Sequence, residues 1–257
     1  MQFVTYHVHA RIGYITLNRP EKRNALSFEL VAELKEAFNQ AEADAQVKVI
    51  VLKANGEAFC AGADLNYLQK LQQFSQDENL RDSNHLKELF LQIYTLKKVV
   101  IAQVQGHALA GGCGLATVCD FAFAVPEAKF GYTEVRIGFV PAIVMFFLLR
   151  KIGEQKAKYL LLTGELLDAN KAVEWGLINH VTTFENLEST VQDFAQKLIQ
   201  QNASQSLEIT KKMIAEIQSL SMTDALNYAS LMNTTARATD DCKRGVSAFL
   251  EKKPITW

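Results

Sequence analysis

The chain has 257 residues, 49% of them apolar, enough for one large domain or a domain with a small appendage around a sizeable core. A formal net charge of −1 without a long basic run argues against nucleic acid as the main partner. The longest apolar run, near 137–149, is broken by Pro141, and the start lacks a basic segment followed by an apolar one. A cytoplasmic protein with no membrane partner is therefore expected.

Residues 3–9 and 12–18 read as two short strands joined near Arg11, followed by a polar loop over Arg19–Asn24. Ser27 is placed to N-cap a helix with Leu30, Val31, Leu34, Ala37, Phe38 and Ala41 on one face. Val47–Leu52 reads as a strand, rich in β-branched residues. A small-residue turn and a helix from about Leu65 follow, then a polar stretch, Gln72–Asn84, expected as a mobile or helical excursion. The spacing predicts a helix over Leu86–Leu96 and a strand over Val99–Val104, which ends in a glycine-rich turn and a helix into Cys119. Asp120–Val125 reads as a strand and Phe130–Glu134 as a short extended piece. Pro141 opens an apolar helix to about Arg150. Helices over Gly153–Thr163 and Asp168–Trp175 flank a turn at Gly164.

From about Leu187 the pattern is almost wholly helical, with Leu207, Ile214, Ile217 and Leu220 at helical spacing. The recurring strand–turn–helix unit predicts an α/β fold with parallel pairing. A soft boundary near 195 divides residues 1–195 from a helical region, 196–257. Cys60, Cys113, Cys119 and Cys242 form no C-x-x-C pair and have no histidine cluster nearby, so reduced thiols and no metal site are expected.

Two segments carry the chemistry. In Ala61-Gly62-Ala63-Asp64, small residues let a ligand approach the backbone, and Asp64 can cap the next helix, leaving the Ala63 N–H free to donate. In Ala110-Gly111-Gly112-Cys113, the first N–H groups of a helix have no internal partner and sit at its positive end. Two such donors converging on one carbonyl oxygen would stabilise an enolate. Either turn alone also reads as a tight strand–helix connection. Phosphate binding at Gly111-Gly112 is a further option, but GK[ST] and G-x-G-x-x-G are both missing, so a P-loop or dinucleotide fold fits poorly.

NRPEKRNALS at 18–27, AFCAGADL at 58–65, QGHALAGGCGLATVCD at 105–120, KFGYTEVRIGFVPA at 129–142, LLTGELLDANKAVEWGLINHV at 161–181 and AFLEKK at 248–253 follow one another in order. In these motifs the chain resembles the crotonase superfamily of enoyl-CoA hydratases and isomerases, nearly end to end. The resemblance implies a spiral of ββα turns with a C-terminal helical region, assembly as trimers or pairs of trimers, and acyl-CoA thioester substrates. It implies no cofactor beyond the coenzyme A of the substrate. Ala63 and Gly111 match the positions whose N–H groups hold the thioester oxygen, and Glu134 matches the second catalytic glutamate. Gly114 stands where the first would be. Lys22, Ala25, Leu26, Ala61 and Leu65 match positions lining the coenzyme A path. Phe249 and Lys252 match tail positions that contact it, often from a neighbouring subunit.

A single carboxylate suffices in principle to take a proton from water and return it to C2. Burial among Phe130, Tyr132, Ile137 and Phe139 would raise the Glu134 pKa to suit that exchange. The same equipment fits Δ3,Δ2 isomerisation, and a non-catalytic acyl-CoA binder is a third reading. The run TEVRIGFVPAIV, with Gly114 in GCGL, resembles methylglutaconyl-CoA hydratase-like enzymes. Pro141-Ala142-Ile143-Val144-Met145 replaces the more usual P-G-x-G-G. Arg136 and His107 are the cations nearest by motif to a distal carboxylate, though an ion pair for Arg136 and a packed turn for His107 explain them as well. The missing glutamate leads to the expectation that Gly114→Glu would raise crotonyl-CoA hydration.

Overall fold

The computed structural model describes residues 1–257. The chain runs through β1 (Val4–His9), β2 (Ile12–Leu17), a 3₁₀ turn (Pro20–Lys22), α1 (Phe28–Ala43), β3 (Val49–Ala54), β4 (Ala58–Cys60), α2 (Leu65–Leu71) and α3 (Gln76–Thr95). β5 (Val99–Val104), β6 (His107–Leu109), α4 (Gly111–Val118), β7 (Phe121–Ala124), β8 (Lys129–Gly131), a second 3₁₀ turn (Glu134–Ile137) and α5 (Ala142–Thr163) come next. The rest is β9 (Leu167–Asp168), α6 (Ala169–Glu174), β10 (His180–Val181), α7 (Phe184–Gln201), α8 (Ser204–Ile217), α9 (Met222–Ala238) and α10 (Asp240–Leu250). No helix is long and apolar enough to cross a membrane.

Two sheets organise the molecule, a six-stranded one in the order β1-β2-β3-β5-β7-β10 and a four-stranded one in the order β4-β6-β8-β9. Pairing is parallel except for the β1–β2 hairpin and the β8–β9 edge. Central strands β3 and β5 are buried on both faces, as their continuous apolar runs require. Ser27 Oγ accepts from Leu30 N at 3.3 Å, and α1 buries the six apolar residues its spacing singles out.

The structure corrects several expectations. β3 starts and ends two residues later than Val47–Leu52. Of the two alternatives for the polar stretch before Leu86, the helical one holds from Gln76, where Ser75 and Glu78 form a capping box, but it continues into the expected Leu86–Leu96 helix as one α3. The helices expected on either side of residue 151 are joined in α5, kinked at Gly153 with φ 76° and ψ 166°. Phe130–Glu134 is not wholly extended: β8 stops at Gly131, and Glu134 opens a 3₁₀ turn. Residue 195 lies inside α7, whose Leu187, Val191, Ala195 and Ile199 are buried. Beyond it, α8 buries only Lys211, and α9 and α10 bury nothing.

Four lysines hold helix C-termini, where carbonyls lack intrahelical donors. Lys48 reaches Ile199 O at 2.7 Å at the end of α7, and Lys98 reaches Ala41 O at 2.7 Å near the end of α1. Lys151 donates to Thr117 O at 2.8 Å and Cys119 O at 2.7 Å after α4. Lys211 donates to Ile93 O at 3.2 Å in the last turn of α3, and pairs with Asp120 at 2.7 Å.

Candidate active site

The first donor turn leaves β4 and is held by the Leu26 loop. Leu26 N donates to Gly62 O at 2.7 Å, and Asp64 N donates to Leu26 O at 2.9 Å. These two bonds form a parallel bridge that straddles Ala63 and leaves its N–H without a protein acceptor. Asp64 Oδ1 accepts from Asn66 N at 2.9 Å and Tyr67 N at 3.3 Å, capping α2. Asp64 Oδ2 pairs with Arg19 Nη2 at 3.0 Å. Burial alone pushes the Asp64 carboxyl up. The Tyr67 and Asn66 N–H groups and the Arg19 guanidinium outweigh burial and hold the carboxyl below its ordinary range.

The second donor turn lies directly beside the first, because β6 pairs with β4 through Ala58–His107 and Cys60–Ala108. A Cβ on Gly62, where φ is +92°, would stand 2.7 Å from Ala110 Cβ and 3.4 Å from Gly111 N. A Cβ on Gly112 would stand 2.1 Å from Cys60 O, so the start of α4 rests on β4 and only glycine fits. Ala110, with φ 50° and ψ −125°, adopts backbone that non-glycine residues rarely hold. Its N–H donates to Gly131 O at 2.8 Å, which fixes it there. Gly111 is the first residue of α4, and its N–H has no acceptor.

The candidate base lies in the 3₁₀ turn that follows the next strand. β8 pairs with β6 through Ala108–Phe130 and Leu109–Gly131, so Gly131 lies beside the second donor turn and Glu134 follows three residues later. Phe139 N donates to Glu134 O at 3.0 Å and closes the turn. Glu134 is buried and its Oε2 has no hydrogen-bond partner. Burial pushes its carboxyl above the ordinary glutamate range, against a smaller opposing effect of its own N–H. Only half of the expected burying shell contributes as residues: Phe130 and Tyr132 are fully buried, whereas Ile137 and Phe139 are 64% and 50% exposed.

Ala25 and Leu26 are buried beside the first donor turn, and Ala25 N and Ala61 N donate to Lys22 O and Arg23 O, both at 3.0 Å. Ala61 is half-buried, while Lys22 and Leu65 stand exposed at the rim. Phe249 and Lys252 are exposed on the C-terminal face, and no hydrogen bond or ion pair joins them to this group. Arg136 forms no ion pair and lies over Gly164, where a Cβ would stand 3.0 Å from its Nε. His107 Nδ1 accepts from Lys129 N at 3.2 Å at the strand edge, a turn role.

Gly114 leaves no room where the sequence suggested some. A Cβ there would stand 2.2 Å from Val144 Cγ1 and 2.9 Å from Phe90 Cε1. Val144, at the first of the paired glycines in the more usual pattern, fills the space instead. Sequence reasoning missed this contact, the Arg19 ion pair with Asp64, and the hydroxyl bond between Thr117 and Tyr132, the tyrosine having been expected only as part of the shell that buries Glu134. Thr117 and Tyr132 form a buried hydroxyl pair at 2.8 Å. A tyrosine inside an apolar motif is the signal that could have found them, since a buried phenol needs a partner.

The family profile described as enoyl-CoA hydratase/isomerase matches residues 7–257. The chain belongs to the enoyl-CoA hydratase/isomerase family. Among its relatives in this family, a Thermus thermophilus protein named for enoyl-CoA hydratase activity is 41% identical over 95% of this chain and 96% of its own length. The short-chain-enoyl-CoA hydratase of Clostridium acetobutylicum is 31% identical over 95% of this chain and 93% of its own. The crystal structure of a Mycobacterium smegmatis enoyl-CoA hydratase superposes with a TM-score of 0.93 at 30% identity, covering 99% and 98% of the two chains. The fold is thus the crotonase fold, with a mixed α/β core and parallel sheets.

Proposed function

We propose that this family member hydrates the 2,3 double bond of an acyl-CoA thioester. The observation that carries the reading is the buried Glu134 carboxylate, whose Oε2 has no hydrogen-bond partner, in the 3₁₀ turn that follows β8, the strand paired with β6. In this mechanism the Ala63 and Gly111 N–H groups hold the thioester oxygen and make C3 electrophilic. Glu134 takes a proton from water as the water oxygen bonds to C3. The double-bond electrons move through C2 to the thioester oxygen, and the enolate is held by both donors. Glu134 then returns the proton to C2, so one water is added and the carboxylate is restored. Each donor is worth about 3–4 kcal/mol at the transition state. The raised carboxyl suits a group that alternates between base and acid.

The closed wall at Gly114 and Val144 gives one specific reason to keep a second reading, Δ3,Δ2 isomerisation, in which Glu134 moves a proton from C2 to C4 and no water is held. A methylglutaconyl-type substrate rests on the local motif alone, and Arg136, lying over Gly164, does not strengthen it. Lys22, Ala25, Leu26, Ala61 and Leu65 are assigned to the coenzyme A path. Phe249 and Lys252 are assigned to coenzyme A contacts in a trimer or pair of trimers. Exposed Leu226, Leu231, Val246 and Leu250 on the bare helices α9 and α10 support that assembly. The buried, unpaired thiols of Cys60, Cys113 and Cys119 suit a cytoplasmic setting.

The deciding experiment gives purified protein crotonyl-CoA, 3-methylglutaconyl-CoA and a 3-enoyl-CoA in parallel, with products identified by mass and chromatography. Gain of one water on a 2-enoyl substrate is expected. Conversion of the 3-enoyl thioester without mass change, and nothing on the others, would replace hydration with isomerisation. Silence on all three would overturn both.

A further inference from the structure

The mechanism above leaves unused a buried polar chain that starts two residues before Glu134. Tyr132 is among the largest fully buried side chains, and its hydroxyl lies 2.8 Å from Thr117 Oγ1. Thr117 Oγ1 donates its one hydrogen to Cys113 O at 2.8 Å. The Tyr132 O–H is therefore the donor to Thr117, and the direction of the chain is fixed. Packing alone needs no hydroxyl at 132, since phenylalanine fills nearly the same volume. Burying a hydroxyl is costly unless it is bonded.

The two ends of this bond belong to the two halves of the site. Thr117 and Cys113 sit on α4, whose first residue supplies the Gly111 donor. Tyr132 precedes Glu134 by two residues. A second link, Ala110 N to Gly131 O at 2.8 Å, fastens the same two segments next to the donor itself. Between them the segment that delivers Glu134 is tied to both ends of α4, and Lys151 holds the far end of that helix through Thr117 O at 2.8 Å. A site that depends on one carboxylate meeting a fixed oxyanion is sensitive to displacements well under 1 Å.

We propose that Tyr132 is a positioning residue, its hydroxyl bond to Thr117 setting the placement of Glu134 relative to the Gly111 donor. This inference rests on the proposed role of Glu134.

The test compares Tyr132→Phe, Thr117→Val, Thr117→Ser, the Tyr132→Phe/Thr117→Val double variant and Glu134→Gln, on whichever of the three thioesters the wild-type protein turns over. Tyr132→Phe is expected to lower kcat about tenfold with KM within about twofold, because the ring and its packing remain. Thr117→Val is expected to do the same and Thr117→Ser to restore the rate. The double variant should be no slower than the slower single one, because both remove one shared bond. The acid limb of the kcat profile should move in Tyr132→Phe, since the carboxylate changes place. Wild-type kcat in folded Tyr132→Phe, or additive losses in the double variant, would overturn the inference. Should Tyr132→Phe not fold, the Thr117→Val and Thr117→Ser pair decides, with equal rates in the two refuting it. Full activity in Glu134→Gln would instead remove the role of Glu134 on which the inference stands. Loss in Glu134→Gln beside wild-type Tyr132→Phe isolates the failure to the positioning claim.

Discussion

In a typical helix interior, Gly→Ala stabilises by about 1 kcal/mol. At Gly114, inside α4, the structure predicts the opposite sign. The added Cβ would lie 2.2 Å from Val144 Cγ1, 2.9 Å from Phe90 Cε1 and 3.0 Å from Val144 Cβ, against an ordinary carbon–carbon contact of about 3.5–4.0 Å. Val144 sits on a helix, where a β-branched side chain has one strongly preferred rotamer and cannot swing away. Overpacking of this kind costs about 1–3 kcal/mol, and an overlap this deep belongs at the upper end. After the gain in helix propensity, Gly114→Ala should be destabilised by about 1–2 kcal/mol in urea unfolding. Val144→Ala alone should lose about 2–3 kcal/mol, from two buried methyl groups at about 0.8 kcal/mol each plus the cavity left behind. In the Val144→Ala background the same Gly114→Ala change should cost less, because the 2.2 Å overlap is gone while the approaches to Phe90 Cε1 and to the Cβ of residue 144 remain, giving a coupling of about 1 kcal/mol or more. A Gly114→Ala protein more stable than wild type would refute the packing description. The same overlap reverses the expectation for Gly114→Glu, which should lose rather than gain crotonyl-CoA hydration unless Val144 is also cut back.

Glu134→Gln should lower turnover by about 10²–10⁴-fold, while coenzyme A thioester binding changes less than about tenfold. The raised Glu134 pKa means that the folded state holds the proton more tightly than the unfolded chain. Wild-type stability is therefore lost as pH rises from the ordinary glutamate value through the raised one. The melting temperature of Glu134→Gln should accordingly gain on wild type as pH rises above the ordinary glutamate value, and a constant difference would contradict the burial effect. Lys48 has the reverse sign: burial lowers its pKa to about 8 from 10.5, so the unfolded chain binds more protons between those values. Relative to Lys48→Met, the wild type should gain stability as pH rises from 8 to 10.5, and a flat difference in thermal scans would refute this. Asp64→Ala should cost about 1 kcal/mol for the lost cap and lower kcat by releasing the Ala63 turn. Asp64→Asn, which keeps the cap and loses the charge opposite Arg19, should fall between the two, and equal kcat in all three would remove Asp64 from that role.

Elements with many repeats of their period were readable in the sequence. α1 declares its buried face six times over, and β5 is apolar throughout. β4, β6, β9 and β10 have two or three residues each, too few for alternation to register, yet β4 and β6 align the two donor turns. The start of α3 was legible in Ser75 and Glu78, but the polarity of its first turns masked it. At the candidate site, glycines announced the two close-packed turns that leave the Ala63 and Gly111 N–H groups without acceptors. The raised Glu134 carboxyl was foreseen, but not its geometry, since Ile137 and Phe139 turn outward. The filling of the Gly114 space was invisible, because Val144 and Phe90 come from helices 30 and 24 residues away on either side, and only packing brings them together.

The lysine caps bear on the order in which the chain completes itself as it is made. α1 ends at Ala43, but its terminal carbonyls wait for Lys98. α4 waits for Lys151, about 34 residues behind Thr117. The last turn of α3 waits for Lys211, which trails Ile93 by 118 residues. At about 5–20 residues per second, that last interval is roughly 6–24 s of synthesis, during which the carbonyl end of α3 and Asp120 lack their cation. A ribosome-bound chain halted near residue 200 would therefore hold both donor turns and Glu134 with the core still unlatched. The arrival of α8 would then supply the cation that closes the carbonyl end of α3 and pairs with Asp120.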